Sequence, residues 1–126
     1  MKFDKILLDV PCSGLGVLRK KPEKIYDLTG EQIKSLKKLQ KKIFDSAYNS
    51  LKEDGIILYS TCTFSINENT NNLEYFLEKY KDLVIEEVVI PENVDIRKDQ
   101  WGGVYITHKN IYNDGFYIAK LRKKQL

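Results

Sequence analysis

Hydrophobic and polar positions divide this chain into short blocks of two kinds. Ile6-Leu7-Leu8 is an unbroken apolar run, so Phe3 to Val10 reads as a strand apolar enough to be buried on both faces. It ends in Pro11-Cys12-Ser13-Gly14, a polar turn. Gly16 to Leu28 lacks a clean period and holds Pro22, which predicts a loop with at most a helical turn. Thr29-Gly30-Glu31-Gln32 has the form of a capping box. Beyond it Ile33, Leu36, Ile43, Phe44, Ala47 and Leu51 follow helical spacing with lysines opposite, and Gly55 is read as the stop.

The pattern then repeats. Ile56 to Ser60 is a second strand, and Ser65-x-x-Glu68 predicts a second capped helix running to about Tyr80, with Leu73, Phe76, Leu77 and Tyr80 as its buried stripe. Leu83 to Ile90 is β-rich, and the acids Glu86 and Glu87 suit an edge or one-sided strand. Pro91 to Gly103 reads as a loop excursion. Gly103 to Thr107 and Gly115 to Leu121 form an antiparallel pair about the Asn110 to Asp114 turn. Two strands joined by a helix run parallel, which brings their carboxyl ends, and both cysteines, to one rim of one sheet. In open α/β sheets ligands bind beyond that rim.

Chemistry concentrates there. Asp9, Pro11 and Cys12 follow the first strand, and Thr61-Cys62-Thr63 follows the second. A thiol is the side chain best suited to nucleophilic catalysis near neutral pH. Buried cysteines are nevertheless common packing residues, and an acid such as Asp9, taken alone, is more often a loop or cap residue. His108 is read as a surface or hairpin residue, and Trp101, beside two glycines, as a loop anchor.

Composition narrows the class without choosing the function. The chain has 126 residues, 42% hydrophobic and 31% charged, which bounds it to one soluble-type domain. The net charge of +3 is modest, but Arg19-Lys20-Lys21, Lys37-Lys38, Lys41-Lys42 and Arg122-Lys123-Lys124 could meet phosphate or could be solvated faces. Two distant cysteines, with no signal peptide and no apolar run able to span a bilayer, predict a cytoplasmic protein. A single histidine and no Cys-x-x-Cys pair argue against zinc.

Asp9-Val10-Pro11-Cys12-Ser13-Gly14, then Thr61-Cys62-Thr63 followed by Glu68-Asn69, then Asp114-Gly115-Phe116-Tyr117-Ile118-Ala119-Lys120-Leu121, resembles the RNA (cytosine-5)-methyltransferases of the Sun (Fmu) and Nol1/Nop2 type. The resemblance covers residues 1–126 and implies the C-terminal half of a Rossmann-like, S-adenosylmethionine-dependent catalytic domain. That α/β fold is expected in part only: the second half of the sheet with a C-terminal antiparallel hairpin, lacking the glycine-rich half that holds the methyl donor. The implied activity is methyl transfer to carbon 5 of a cytosine in RNA, ribosomal RNA above all, through a covalent cysteine adduct, with this stretch inactive by itself.

The same resemblance assigns roles. It makes Cys62 the nucleophile, Cys12 the group that assists product release, Asp9 the acid that contacts the target base and lines the donor site, and Pro11 a residue whose carbonyl helps hold the base. Val10 stands where alanine is commoner, Thr107-His108 where Pro-His is expected, and Asn113 where a threonine precedes Asp-Gly-Phe. Two other readings stay open: a non-catalytic RNA-binding or assembly module derived from that fold, and an unrelated α/β thiol enzyme. With no partner for its outer edge in these residues, the strand at Phe3 to Leu8 predicts a dimer or larger assembly of the chain.

Overall fold

The computed structural model describes residues 1–11, 30–62, 68–106 and 116–124. Strand β1 (Phe3–Asp9) lies parallel to β2 (Leu51–Thr61), and helix α1 (Gly30–Asn49) makes the crossover between them. The register pairs Ile6 with Ile57, Leu8 with Tyr59 and Asp9 with Ser60. After helix α2 (Thr70–Lys79) come β3 (Leu83–Glu86), β4 (Ile96–Lys98), β5 (Val104–Ile106) and β6 (Phe116–Lys123). The sheet order is β1-β2-β6-β5-β4, with β3 also paired to β6. Both β5 and β3 run antiparallel to β6, as β6 does to β2. A mixed α/β sheet with a parallel amino-terminal pair and an antiparallel carboxyl-terminal part is therefore the observed architecture.

The core lies on one face of this sheet. Ile57 and Tyr59 of β2 alternate with half-buried Ile56 and Leu58, and Tyr117, Ala119 and Leu121 of β6 point to the same side as Ile57 and Tyr59. Phe44 and Ala47 of α1 and Leu73 and Phe76 of α2 cover them. The Phe44 and Phe76 rings stack with centroids 3.7 Å apart, and Tyr59 meets both edge-on. Two helices thus close over one hydrophobic face.

The opposite face is open among the described residues. A groove of about 510 Å³ runs over Lys5, Leu7, Ile56, Leu58 and Lys120, bordered by Val88 and Val89. This corrects the expectation that β1 is buried on both sides: Leu7 is 69% exposed and Phe3 47%. Burial on two faces needs an element on each, and among the described residues β1 has helices on one face and a paired neighbour, β2, on one edge only.

The boundaries are corrected too. Gly55 does not stop α1, which ends at Asn49; it lies inside β2. A Cβ there would come within 2.8 Å of the Lys52 carbonyl oxygen and the Leu51 side chain, at a bulge where Asp54 takes a left-handed φ of 63°. The bulge shifts the β1–β2 register between Phe3 and Lys5. Leu51 is fully buried as the first residue of β2, not as the last turn of the helix. Helix α2 starts at Thr70 with Asn69 as N-cap and no side-chain cap bond, so Glu68 is not the third residue of a capping box. Thr29 and Ser65, the proposed caps, lie outside the described residues.

Within Pro91 to Gly103 the structure adds β4, which the polar sequence did not announce. That segment is anchored by Asp99, while the Trp101 side chain is 38% exposed. The Asp99 carboxylate accepts hydrogen bonds from the Trp101 and Gly103 amides, the Thr70 hydroxyl and the Tyr117 phenol, at 2.8–3.0 Å. A side chain at Gly103 would collide with the Tyr117 hydroxyl.

Candidate active site at the rim of the parallel strands

Parallel pairing carries both candidate strand ends to one rim. The β1–β2 ladder extends one bond past Asp9, because the Val10 amide donates to the Ser60 carbonyl at 3.1 Å. Asp9 is exposed there, while its strand partner Ser60 is buried, with its hydroxyl 3.3 Å from the Leu8 carbonyl and 3.4 Å from the Asp9 carboxylate. Pro11 lies at the surface just beyond. On the neighbouring strand Thr61 is fully buried and Cys62 is half-buried. Cys12, His108 and the Asp114-Gly115 turn lie outside the described residues.

A buried polar network stands behind this rim. Gln40, wholly inaccessible, donates from Nε2 to the Pro11 carbonyl at 2.8 Å and to Glu68 Oε1 at 3.1 Å. Its Oε1 accepts from Asn72 Nδ2 at 2.8 Å. Asn72 also reaches the Glu68 carbonyl, to which the Tyr59 phenol donates at 2.9 Å. Thr61 donates to Asn69 Oδ1 at 2.6 Å. Gln40, Tyr59, Thr61, Glu68, Asn69 and Asn72 are each 0% exposed. Buried polar groups cost stability unless they are paired, so these bonds hold together the four elements they join: the end of β1, α1, the end of β2 and the start of α2. Among the described residues Asn72 Oδ1 is left without a hydrogen bond.

Sequence reading passed over Gln40 and Asn72, although a signal was there. Gln40 stands four residues after Leu36 and four before Phe44, a polar side chain inside the apolar stripe of α1. Asn72 sits likewise beside Leu73 and four residues before Phe76. The motif marks Glu68 and Asn69 in the sequence, but not the contacts they make.

The basic clusters fare unequally. Arg122 pairs with Glu86 and donates to the Asp54 carbonyl at 2.8 Å. Lys123 is 8% exposed, its ammonium 4.5 Å from the Tyr48 ring centroid. Arg122 and Lys123 are thus structural residues and not part of a free basic tail, whereas Lys124 is exposed. On α1, Lys38 and Lys42 are exposed, whereas Lys41 lies 4.1 Å over the Tyr75 ring. Burial and then the neighbouring Lys37 push the Lys41 ammonium below its ordinary value. Among the described residues no cluster of histidine, cysteine or acid could hold a metal ion, and no helix is long and apolar enough to cross a membrane.

An acid, an exposed proline and a half-buried thiol on adjacent parallel strand ends, stapled from behind, form a site suited to nucleophilic chemistry on a bound ligand. Solved structures share this arrangement of elements. NSun6 from Pyrococcus horikoshii, solved with SFG, superposes with a TM-score of 0.83 at 32% identity over 100% of this chain and 31% of its own. A methyltransferase homolog protein from the same organism gives a TM-score of 0.77 at 27% identity over 98% of this chain and 40% of its own.

Sequence comparison agrees. Ribosomal RNA small subunit methyltransferase F from Aliivibrio fischeri strain MJ11 is 34% identical over 123 residues, 96% of this chain and 26% of that protein. Its counterpart from Vibrio cholerae strain M66-2 is 35% identical over 124 residues, with 97% and 26% covered. The chain spans about a quarter of the length of these curated relatives. The sequence model for 16S rRNA methyltransferase RsmB/F matches residues 1–122, nearly the whole chain and both strand ends that build the rim. With fold, strand-end motifs and sequence in agreement, the chain belongs to the 16S rRNA methyltransferase RsmB/F family.

Proposed function

We propose that this chain carries the nucleophile-bearing part of an enzyme that transfers a methyl group from S-adenosylmethionine to carbon 5 of a cytosine in ribosomal RNA, and that it turns over only within a longer enzyme. The observation that carries this reading is the parallel register of β1 and β2, which sets Asp9 beside Ser60 and so puts the Asp-Val-Pro and Thr-Cys segments on one rim. Family membership and the methyltransferase names of the relatives support it, as does the neighbour solved with SFG, an S-adenosylmethionine analogue.

Carbon 5 of cytosine is too weak a nucleophile to accept a methyl group unaided. The Cys62 thiolate adds to carbon 6, forming a C–S bond and moving electron density toward N3 and carbon 5. Asp9 holds a proton at N3 as charge develops there, and the Pro11 carbonyl helps hold the base. The donor, when bound, supplies the methyl group to carbon 5. Asp9 is exposed at the carboxyl end of a parallel strand, where open α/β sheets bind ligands, so it fits one wall of the donor pocket. Cys12 then assists release: the proton on carbon 5 leaves to a base and the C–S electrons return to Cys62. Exposed Lys38 and Lys42 on α1 meet RNA phosphates. Taken by itself, the chain pairs with a second copy through the edge of β1 that has no partner among the described residues.

Attack and release are separate steps, so removing their groups stalls different species. In the full-length enzyme Cys62→Ala abolishes turnover and forms no denaturant-stable complex with substrate RNA, whereas Cys12→Ala accumulates one, read on denaturing gels. The unaltered enzyme traps on RNA containing 5-fluorocytosine, which a non-catalytic binding module would not do. Adduct with Cys62→Ala, or none with Cys12→Ala, overturns the assignment.

A further inference from the structure

We infer that Gln40 is a positioning residue for this site: its side-chain amide sets the direction of the Pro11 carbonyl and ties it to the strand end that bears Cys62. The inference rests on the reaction proposed above. Pro11 is at the surface and follows the last ladder bond of β1, so no strand neighbour among the described residues orients its carbonyl. The bond from Gln40 Nε2, at 2.8 Å, does so from a helix 29 positions away in sequence. A peptide unit is planar, so holding that carbonyl also holds the plane of the bond into the next residue.

The same amide group is spoken for on every side. Its second hydrogen goes to Glu68 Oε1 at 3.1 Å and its oxygen accepts from Asn72 at 2.8 Å. Glu68 adjoins Asn69, which accepts from Thr61, the residue before Cys62. Gln40 therefore stands on a path from the Pro11 carbonyl to the residue that precedes the thiol, made of hydrogen bonds and the one peptide link between Glu68 and Asn69. No apolar side chain of the same size could donate to Pro11 and Glu68 and accept from Asn72 at once. A misplacement of about 1 Å at such a site lowers rate by up to roughly a hundredfold.

The test uses the full-length enzyme in single-turnover adduct formation on 5-fluorocytosine RNA, with RNA affinity and thermal midpoint measured alongside. Gln40→Met keeps the volume and loses the donors. It should slow adduct formation by roughly ten- to a hundredfold at temperatures where it is fully folded, with RNA affinity unchanged. Gln40→Glu supplies the second readout, and stands alone if the methionine variant fails to fold. Its carboxyl can donate again to the Pro11 carbonyl only when protonated, so its rate relative to wild type should rise as pH falls. A folded Gln40→Met variant with the wild-type rate, or a flat pH ratio for Gln40→Glu, overturns the inference alone. A wild-type enzyme that forms no adduct overturns the proposed function and this inference with it.

Discussion

Asp99 shows how much of this fold hangs on single acids. It collects two backbone amides, the Thr70 hydroxyl and the phenol of Tyr117, a residue with no solvent exposure. Burial first, and then the bond to Asp99, pushes the Tyr117 phenol well above its ordinary value. Removing the carboxylate leaves a buried donor unsatisfied, which costs about 1–3 kcal/mol. Asp99→Ala should therefore lower the unfolding free energy by about 2 kcal/mol in urea titrations. Because the orphaned group is the larger part of that cost, the double variant Asp99→Ala with Tyr117→Phe should be less destabilised than the sum of the two single changes. Strict additivity would count against this account.

Among the elements, the contact between α1 and α2 carries a pH dependence. Tyr80, at the carboxyl end of α2, donates to Asp45 of α1, and Lys79 lies 3.1 Å from the same carboxylate. Burial, then the bond to Asp45, pushes the Tyr80 phenol up to about 12 from an ordinary 10.0. A group whose folded pKa is raised contributes stability that is fully present below its unfolded pKa and is lost as pH rises through the folded value. The chain should accordingly lose stability between pH 10 and about 12, as Tyr80 ionises. Tyr48, stacked on Tyr80 and bonded to Asp82 at 2.6–2.7 Å, is shifted in the same direction. Denaturant titrations across that range should show a flatter decline for Tyr80→Phe, which removes one ionising group. An unchanged slope would contradict the assignment.

At the scale of the molecule, the edge of β1 away from β2 has no partner among the described residues. That edge and exposed Leu7 form a template for another strand. An antiparallel two-fold pairing centred on Leu7 sets Lys5 of one copy opposite Asp9 of the other, twice, and Ile6 opposite Leu8, all with matching faces. No charge meets its like in that register. Sedimentation of the isolated 14.7 kDa chain should give a dimer's mass, and Leu7→Lys, which brings two ammonium groups together at the two-fold centre, should give a monomer with unchanged circular dichroism. A monomeric wild-type chain, or a dimer indifferent to Leu7→Lys, would end the proposal.

What the sequence determined by itself was local and periodic. The crossover helix, the two parallel strands and the carboxyl-terminal antiparallel pair followed from spacing, and the family from residues clustered at strand ends, because both signals are written in neighbouring positions. Tertiary structure decided the rest. Gly55 resembles a helix stop until the Leu51 side chain is seen folded against it. Lys123 reads as part of a basic tail until Tyr48 and Leu51 enclose it. Strand β4 exists through its pairing with β5, which no local pattern announces. Gln40 and Pro11 are 29 residues apart, and nothing in either stretch names the other. A hydrogen bond across such a separation depends on where the crossover helix lies on the sheet, and packing of the whole core sets that position.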